Sequence, residues 1–221
     1  MMTPAQSDQT ARLFAVLAHG ETMAHDCALR QAELVDDKRS HRFLQVQALQ
    51  ERAHRMLFDR AADWMAPKQK RVFPPAMIEF EQRLQQALAR GDLTESLIAS
   101  QVVLEGLGEQ ILSRLNRGLD DQGIVLSRQR RVLLRQEQGH FAFGQRLLQR
   151  RLQSGQANTR QVQELAGGYL LLVSGIVAEM AEVFDVLDED VREYTDGLIT
   201  ALPSWLLPED FNAIELIGPA V

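Results

Sequence analysis

The apolar positions of the chain recur at helical rather than strand spacing almost from end to end. Leu13, Phe14, Leu17, Ala24, Ala28 and Val35 trace the stripe of an amphipathic helix over residues 8–36, with Ser7 or Asp8 as its N-cap. A break at Asp36 and Asp37 leads into a second helix over residues 37–65, whose inward stripe reads Leu44, Ala48, Glu51, Phe58 and Ala62 and which stops before Pro67. So short a connection makes the two an antiparallel hairpin. Pro67, Pro74 and Pro75 punctuate residues 66–92, which hold a shorter helix over residues 75–90 closed by Gly91 and read as a long crossover. A third long helix, residues 93–119 with Asp92 or Thr94 as its cap, and a fourth, residues 124–153, flank a turn at Asp120, Asp121 and Gly123 and form a second hairpin. Ser154, Gly155 and Asn158 then link to a further helix over residues 159–187, and the proline-bearing tail 202–221 is expected to be mostly irregular.

This pattern predicts an all-α fold in a single domain, residues 1–221. Its bundle core, residues 8–153, is two antiparallel hairpins joined by a long crossover, with an additional C-terminal helix. Composition agrees, because aromatic residues are only 6% and β-branched runs are scarce. The apolar run from Leu165 to Ala178 is shorter than the roughly 20 residues a bilayer span needs and carries Gly167, Gly168 and Gly175, so no membrane span is expected. A buried helix or a homodimer contact suits it better.

Charge and cysteine content narrow the chemistry. A formal net charge of -6 repels nucleic acid and anionic membranes except at a local basic patch. Cys27 is the single cysteine, which excludes a disulfide framework, a four-cysteine zinc site and a cysteine-ligated iron–sulfur cluster. Any metal must therefore be held by carboxylate and histidine. The opening residues MMTPAQSDQTARLF show no basic segment followed by an apolar one, so a cytoplasmic location is expected.

Two of the five histidines follow a glutamate by three residues, in Glu51-Arg-Ala-His54 and Glu137-Gln-Gly-His140. That spacing puts both side chains of each pair on one helix face. Glu21 and Glu105 stand in otherwise apolar stripes, where a carboxylate without a partner is costly to bury. Counted from each predicted turn, Glu21 and Glu51 both lie about 15 residues away, roughly 22 Å, and Glu105 and Glu137 repeat the arrangement at a nearly constant offset. Four carboxylates and two imidazoles thus meet at one level of the bundle, where they could neutralise two divalent cations. His25 and Glu109, each one turn beyond a member of the set, are weaker candidates, while His19 and His41 have no evident partner and are assigned to the surface.

In chain order Glu, ExxH, Glu, ExxH on two hairpins, residues 13–152 resemble the ferritin-like di-iron carboxylate superfamily. The resemblance implies Glu21, Glu51, His54, Glu105, Glu137 and His140 as metal ligands for two iron ions, with manganese or mixed occupancy equally suited to the donor set. In that superfamily the ExxH glutamates usually bridge; which glutamates bridge here is left open. The region of Glu105 and Glu137-Gln-Gly-His140-Phe also looks like the branch that hydroxylates prenylated adenosine in transfer RNA. Arg128, Arg130, Arg131, Arg135, Arg146, Arg150 and Arg151 would give tRNA a phosphate-contacting helix face.

The resemblance implies an oxidoreductase of the monooxygenase type, which activates O2 to hydroxylate or oxidise an organic substrate. It also implies an external electron donor, a reductase or ferredoxin. Iron storage is disfavoured by the second ExxH motif and the long extra helix, and a rubrerythrin-type protein by the lack of cysteines. Tyr169 and Tyr194 lie outside the four bundle helices, which disfavours a tyrosyl-radical role. Gly106, Gly108, Gly139, Ala142 and Gly144 beside the proposed ligands provide either room for substrate or close helix packing. The first of these predicts an apolar pocket lined by Leu104, Leu133 and Phe141. The contrasting class is a metal-free helical interaction protein whose inward glutamates pair with arginines.

Overall fold

The computed structural model describes residues 3–114 and 127–207, with side chains of 127–129 left aside. The predicted turn at Asp120, Asp121 and Gly123 and most of the tail lie outside the described residues. Every regular element among the described residues is helical.

Helix α1, Pro4–Leu34, begins earlier than its apolar stripe. Thr3, not Ser7 or Asp8, is the N-cap: its side chain accepts from the Gln6 backbone N–H at 3.2 Å while the Gln6 side chain accepts from the Thr3 N–H at 2.9 Å, with Pro4 in the first turn. Asp37 caps α2, Lys38–Met65, by accepting from the Ser40 N–H at 2.8 Å. The two helices pack along their lengths as the expected hairpin.

Helix α3, Pro75–Ala89, is the crossover. It ends in a Schellman motif, the Asp92 N–H donating to the Ala87 carbonyl and the Gly91 N–H to the Leu88 carbonyl. Gly91 there takes φ of 68°, a conformation that a β-carbon would strain. Asp92 at once caps the next helix, accepting from the Glu95 N–H at 3.0 Å.

Helix α4, residues 93–114, has three parts. Leu93–Ser96 is α-helical, Leu97–Leu104 is π-helical and Glu105–Arg114 returns to α. The wide turn is visible at its exit, where the Glu105 N–H reaches the Ser100 carbonyl five residues back. Helix α5, Ser127–Gln153, packs on both the π-helical and the later part of α4 and completes the second hairpin.

The predicted helix over residues 159–187 divides at Met180 into α6, Thr159–Glu179, and α7, Ala181–Val186. A further helix, α8, Arg192–Ala201, was not anticipated, and within the expected irregular tail Ser204–Leu206 forms a 3-10 turn. By length and composition α6 could cross a membrane. Its apolar face is instead committed to the interior, where Val162, Ala166, Tyr169, Leu170 and Val173 pack against α3 and the π-helical turns.

Candidate metal centre

The register argued from the sequence is realised in space. Glu21 from α1, Glu51 and His54 from α2, Glu105 from α4, and Glu137 and His140 from α5 are all buried at one level between the hairpins. His54 Nδ1 lies 3.0 Å from Glu51 Oε2, 3.0 Å from Glu137 Oε1 and 3.6 Å from Glu21 Oε2. His140 Nδ1 lies 2.9 Å from Glu51 Oε1 and 3.4 Å from Glu105 Oε2. Two donor groups result, Glu21–Glu51–His54–Glu137 and Glu51–Glu105–His140, each with its ligand atoms within 4.8 Å of one another, and Glu51 belongs to both.

The orientation of the imidazoles matters more than their proximity. His54 Nε2 is 2.8 Å from Gln136 Oε1, and His140 Nε2 is 2.8 Å from Gln50 Oε1. Each Nε2 therefore donates to an amide oxygen, which leaves Nδ1 as the inward atom. Neither Nδ1 has an aligned hydrogen-bond partner, and Glu51 Oε2 and Glu137 Oε1 are likewise without one. Buried polar atoms facing a common point without satisfying each other are what a cation between them would resolve. Carboxylate oxygen and imidazole nitrogen in this number suit divalent iron or manganese.

The electrostatics reflect how closely the carboxyls and imidazoles are gathered in the interior. Burial, then the charges of Glu137 and Glu51, hold the Glu21 carboxyl well above the ordinary range against the opposing pull of His54. Burial, then Glu51 and Glu137, do the same to Glu105. Burial would also raise Glu51, but His140 and His54 outweigh it and hold that carboxyl well below its usual value. His54 is the converse: burial disfavours its charge, and Glu137, Glu21 and Glu51 overcome this to push it far up.

Three residues that the sequence reading passed over belong to this cluster. Gln50 and Gln136 immediately precede the two ExxH motifs, and a repeated Gln-Glu-x-x-His was the available signal. Gln47, one turn before Glu51, donates to Glu51 Oε1 at 2.9 Å and to Glu105 Oε1 at 2.8 Å. The weaker candidates take other roles. His25 Nδ1 meets the Ala48 carbonyl at 2.7 Å, and Glu109 accepts from Gln138 at 3.0 Å. His19 and His41, expected to lack partners, have them: His19 pairs with Glu81 at 3.0 Å and stacks on Phe73, and His41 meets the Ala32 carbonyl at 2.7 Å.

An apolar cavity of about 60 Å³ abuts the cluster. Its walls come mainly from α1, α4, α6 and α7, including Leu17, Leu104, Ile176 and Phe184, with Met77 from α3, and its charged lining is Glu21, Glu105 and Glu137, the last from α5. Leu104 lines it as expected, but Leu133 and Phe141 do not. Phe141 is spent on helix packing, lying 3.2 Å from where a β-carbon on Gly106 would stand, with Leu198 of α8 at 2.6 Å. Gly144 is likewise closed in by the backbone of Gln101 at 3.1 Å, whereas Gly108 lines the cavity. The two explanations for the small residues therefore divide among them. Of the arginines on the fourth helix, Arg131, Arg135, Arg146 and Arg150 are exposed, and Arg128 lies among the side chains left aside.

Among solved structures the chain is similar to "Protein 19 with aldehyde deformylating oxidase activity from Synechococcus", at 15% identity and a TM-score of 0.75, over 97% of this chain and 95% of that one. The fold is the ferritin-like helical bundle. No protein-family model matches the sequence, and no curated protein matches it. The ferritin-like bundle accounts for the paired hairpins and the crossover, and the donor cluster sits between those hairpins.

Proposed function

We propose that this chain is a di-iron oxidative enzyme that uses O2 to oxidise an apolar substrate, with an aldehyde as the class to examine first. The observation that carries this is the pair of inward Nδ1 atoms, each turned by a glutamine toward carboxylates it does not bond, beside an apolar cavity touching three of those carboxylates. The ferritin-like fold and the aldehyde named for the similar structure support it.

Glu21, Glu51, His54 and Glu137 would hold one metal ion, and Glu105 and His140 the other, with Glu51 shared. A bound pair of irons would supply the electron transfers by which O2 is reduced and the substrate oxidised. The chain's own side chains do the rest. Gln50 and Gln136 hold the imidazole orientation, and Gln47 fixes Glu51 relative to Glu105. Leu17, Leu104, Ile176 and their neighbours exclude water and leave space for O2 or the slender end of an apolar chain against Glu21, Glu105 and Glu137. Electrons come from a separate reductase or ferredoxin.

The test is metal analysis followed by turnover. The purified protein, supplied with iron(II), should retain about two ions per chain, and Glu51→Ala or His140→Ala should abolish retention. Manganese offered in competition measures selectivity. Loaded protein should consume O2 only when both a reductant and an apolar aldehyde are present. No metal retained, with thermal stability unmoved by chelator, would favour the metal-free interaction protein instead.

A further inference from the structure

The exposed arginines of α5 do not form one continuous stripe. Arg131 and Arg146 are separated by about 22 Å of helix rise, and Arg151 is engaged by Thr94 Oγ1 at 2.9 Å and the Gln156 carbonyl at 3.4 Å. Arg146 and Arg150 instead meet Arg39, from the first turn of α2, around a cavity of about 520 Å³. Ser40, Gln149, Phe43 and Phe143 complete its walls, and no carboxylate lines it. Among the described residues Arg39 and Arg146 are exposed and form no ion pair. Arg150 reaches Ser40 Oγ at 3.4 Å and lies near Asp37, whose carboxylate is already engaged by the Ser40 N–H.

Three guanidiniums gathered around one hollow, of which only Arg150 has a carboxylate nearby, Asp37 outside the lining, repel one another. A dianion with several acceptor oxygens matches such forked donors better than a single carboxylate does. The other half of the site is apolar: Phe43 and Phe143 stack with ring centroids 4.0 Å apart at 14°. The volume lies within the range of small-molecule sites.

We propose that this cavity binds a small phosphate monoester, its phosphate held by Arg39, Arg146 and Arg150 and its apolar or aromatic body against the Phe43–Phe143 pair. The site is independent of any metal. It is also one ring away from the metal centre, because Phe43 meets the His140 ring edge-on at 6.2 Å. An occupant pressing on Phe43 therefore presses toward that imidazole.

Phenyl phosphate is the probe, titrated calorimetrically into the full-length protein at low salt beside inorganic phosphate. Expected are one site per chain, tighter binding of phenyl phosphate than of inorganic phosphate, and about tenfold weakening by Arg39→Ala or by Arg146→Ala. Arg131→Ala, outside the cavity, should change nothing. Thermal melts check that the variants fold, and in the unmodified protein the Phe43 and Phe143 ring resonances should shift on titration, which keeps the test independent of any variant. Absence of saturable binding, or equal weakening by Arg131→Ala, overturns the proposal. So does a short RNA oligonucleotide that binds more tightly than phenyl phosphate and depends equally on Arg131 and Arg135.

Discussion

Gln50 on α2 fixes the imidazole of His140 on α5 through a 2.8 Å contact to Nε2, and Gln136 on α5 returns the same contact to His54 on α2. The orientation of each histidine is thus set by the opposite hairpin. Groups that hold a ligand's second nitrogen typically contribute 10–100-fold to metal affinity. Gln50→Ala or Gln136→Ala should therefore weaken iron(II) or manganese binding by about that factor while leaving helical content unchanged, measured by competition with a chelating dye. Affinity equal to that of the unmodified protein would sink the orienting role.

The pH response of the metal-free protein has a definite sign. Glu105 and Glu21 have folded pKa values raised above 4.5, so between that value and their folded values the folded state holds more protons than the unfolded one. Their contribution to stability is present at low pH and is lost as pH rises through the folded values. Glu105→Gln removes one such proton, so denaturant unfolding of metal-free protein at pH 8 should show the variant more stable, by about 1–3 kcal/mol. Metal uptake must expel the same protons, so calorimetric heats should vary with buffer and affinity should rise with pH. A variant less stable than the unmodified protein at pH 8 would contradict this account.

Two glycines separate room from contact. A β-carbon at Gly108 would stand 3.6 Å from Glu137 Oε2, ordinary contact, whereas at Gly144 it would overlap Gln101. Gly108→Ala should be neutral or stabilising by up to about 1 kcal/mol, and Gly144→Ala destabilising by about 1–3 kcal/mol, both read from thermal melts. Gly108→Leu should obstruct the cavity and slow turnover with metal retained.

Asp37 is a helix cap whose carboxyl is held below its ordinary value of 3.8 by the Ser40 hydroxyl and backbone N–H. Asp37→Ala should cost about 1 kcal/mol. Because the folded value is depressed, this contribution is present above pH 3.8 and fades as pH falls through the lower folded value. Denaturant midpoints of the two proteins should converge in acid, and a difference independent of pH would point to packing.

That Glu21, Glu51, His54, Glu105, Glu137 and His140 lie together in the interior could be argued in advance, because helical rise is regular and a carboxylate inside an apolar stripe stands out. Gln50 and Gln136 could not be ranked that way, since glutamine is common on solvated faces and each has its partner on the other hairpin. The π-helical turns of Leu97–Leu104 escaped because the segment is buried nearly all round, Ser100 and Gln101 included, and carries no solvated polar stripe from which a wider turn can be read. The cavity lies on the side of the bundle facing α1, α6 and α7, while Phe141 packs over Gly106 beside Leu198 of α8. Leu133 and Phe141 were accordingly assigned to the wrong wall. The division at Met180 and the helix Arg192–Ala201 depend on docking against α1 and α4, which no local pattern announces.

Glu51 is one side chain with two claims on it, His54 facing one oxygen and His140 the other. Glu51 would hold an ion in either half through one oxygen and would leave its other oxygen facing the second donor group. The first arrival thereby prepares the place of the second, and loading should be cooperative, passing from empty to doubly filled with little singly loaded protein between. At limiting iron the population would then divide into complete and empty molecules rather than share the metal evenly.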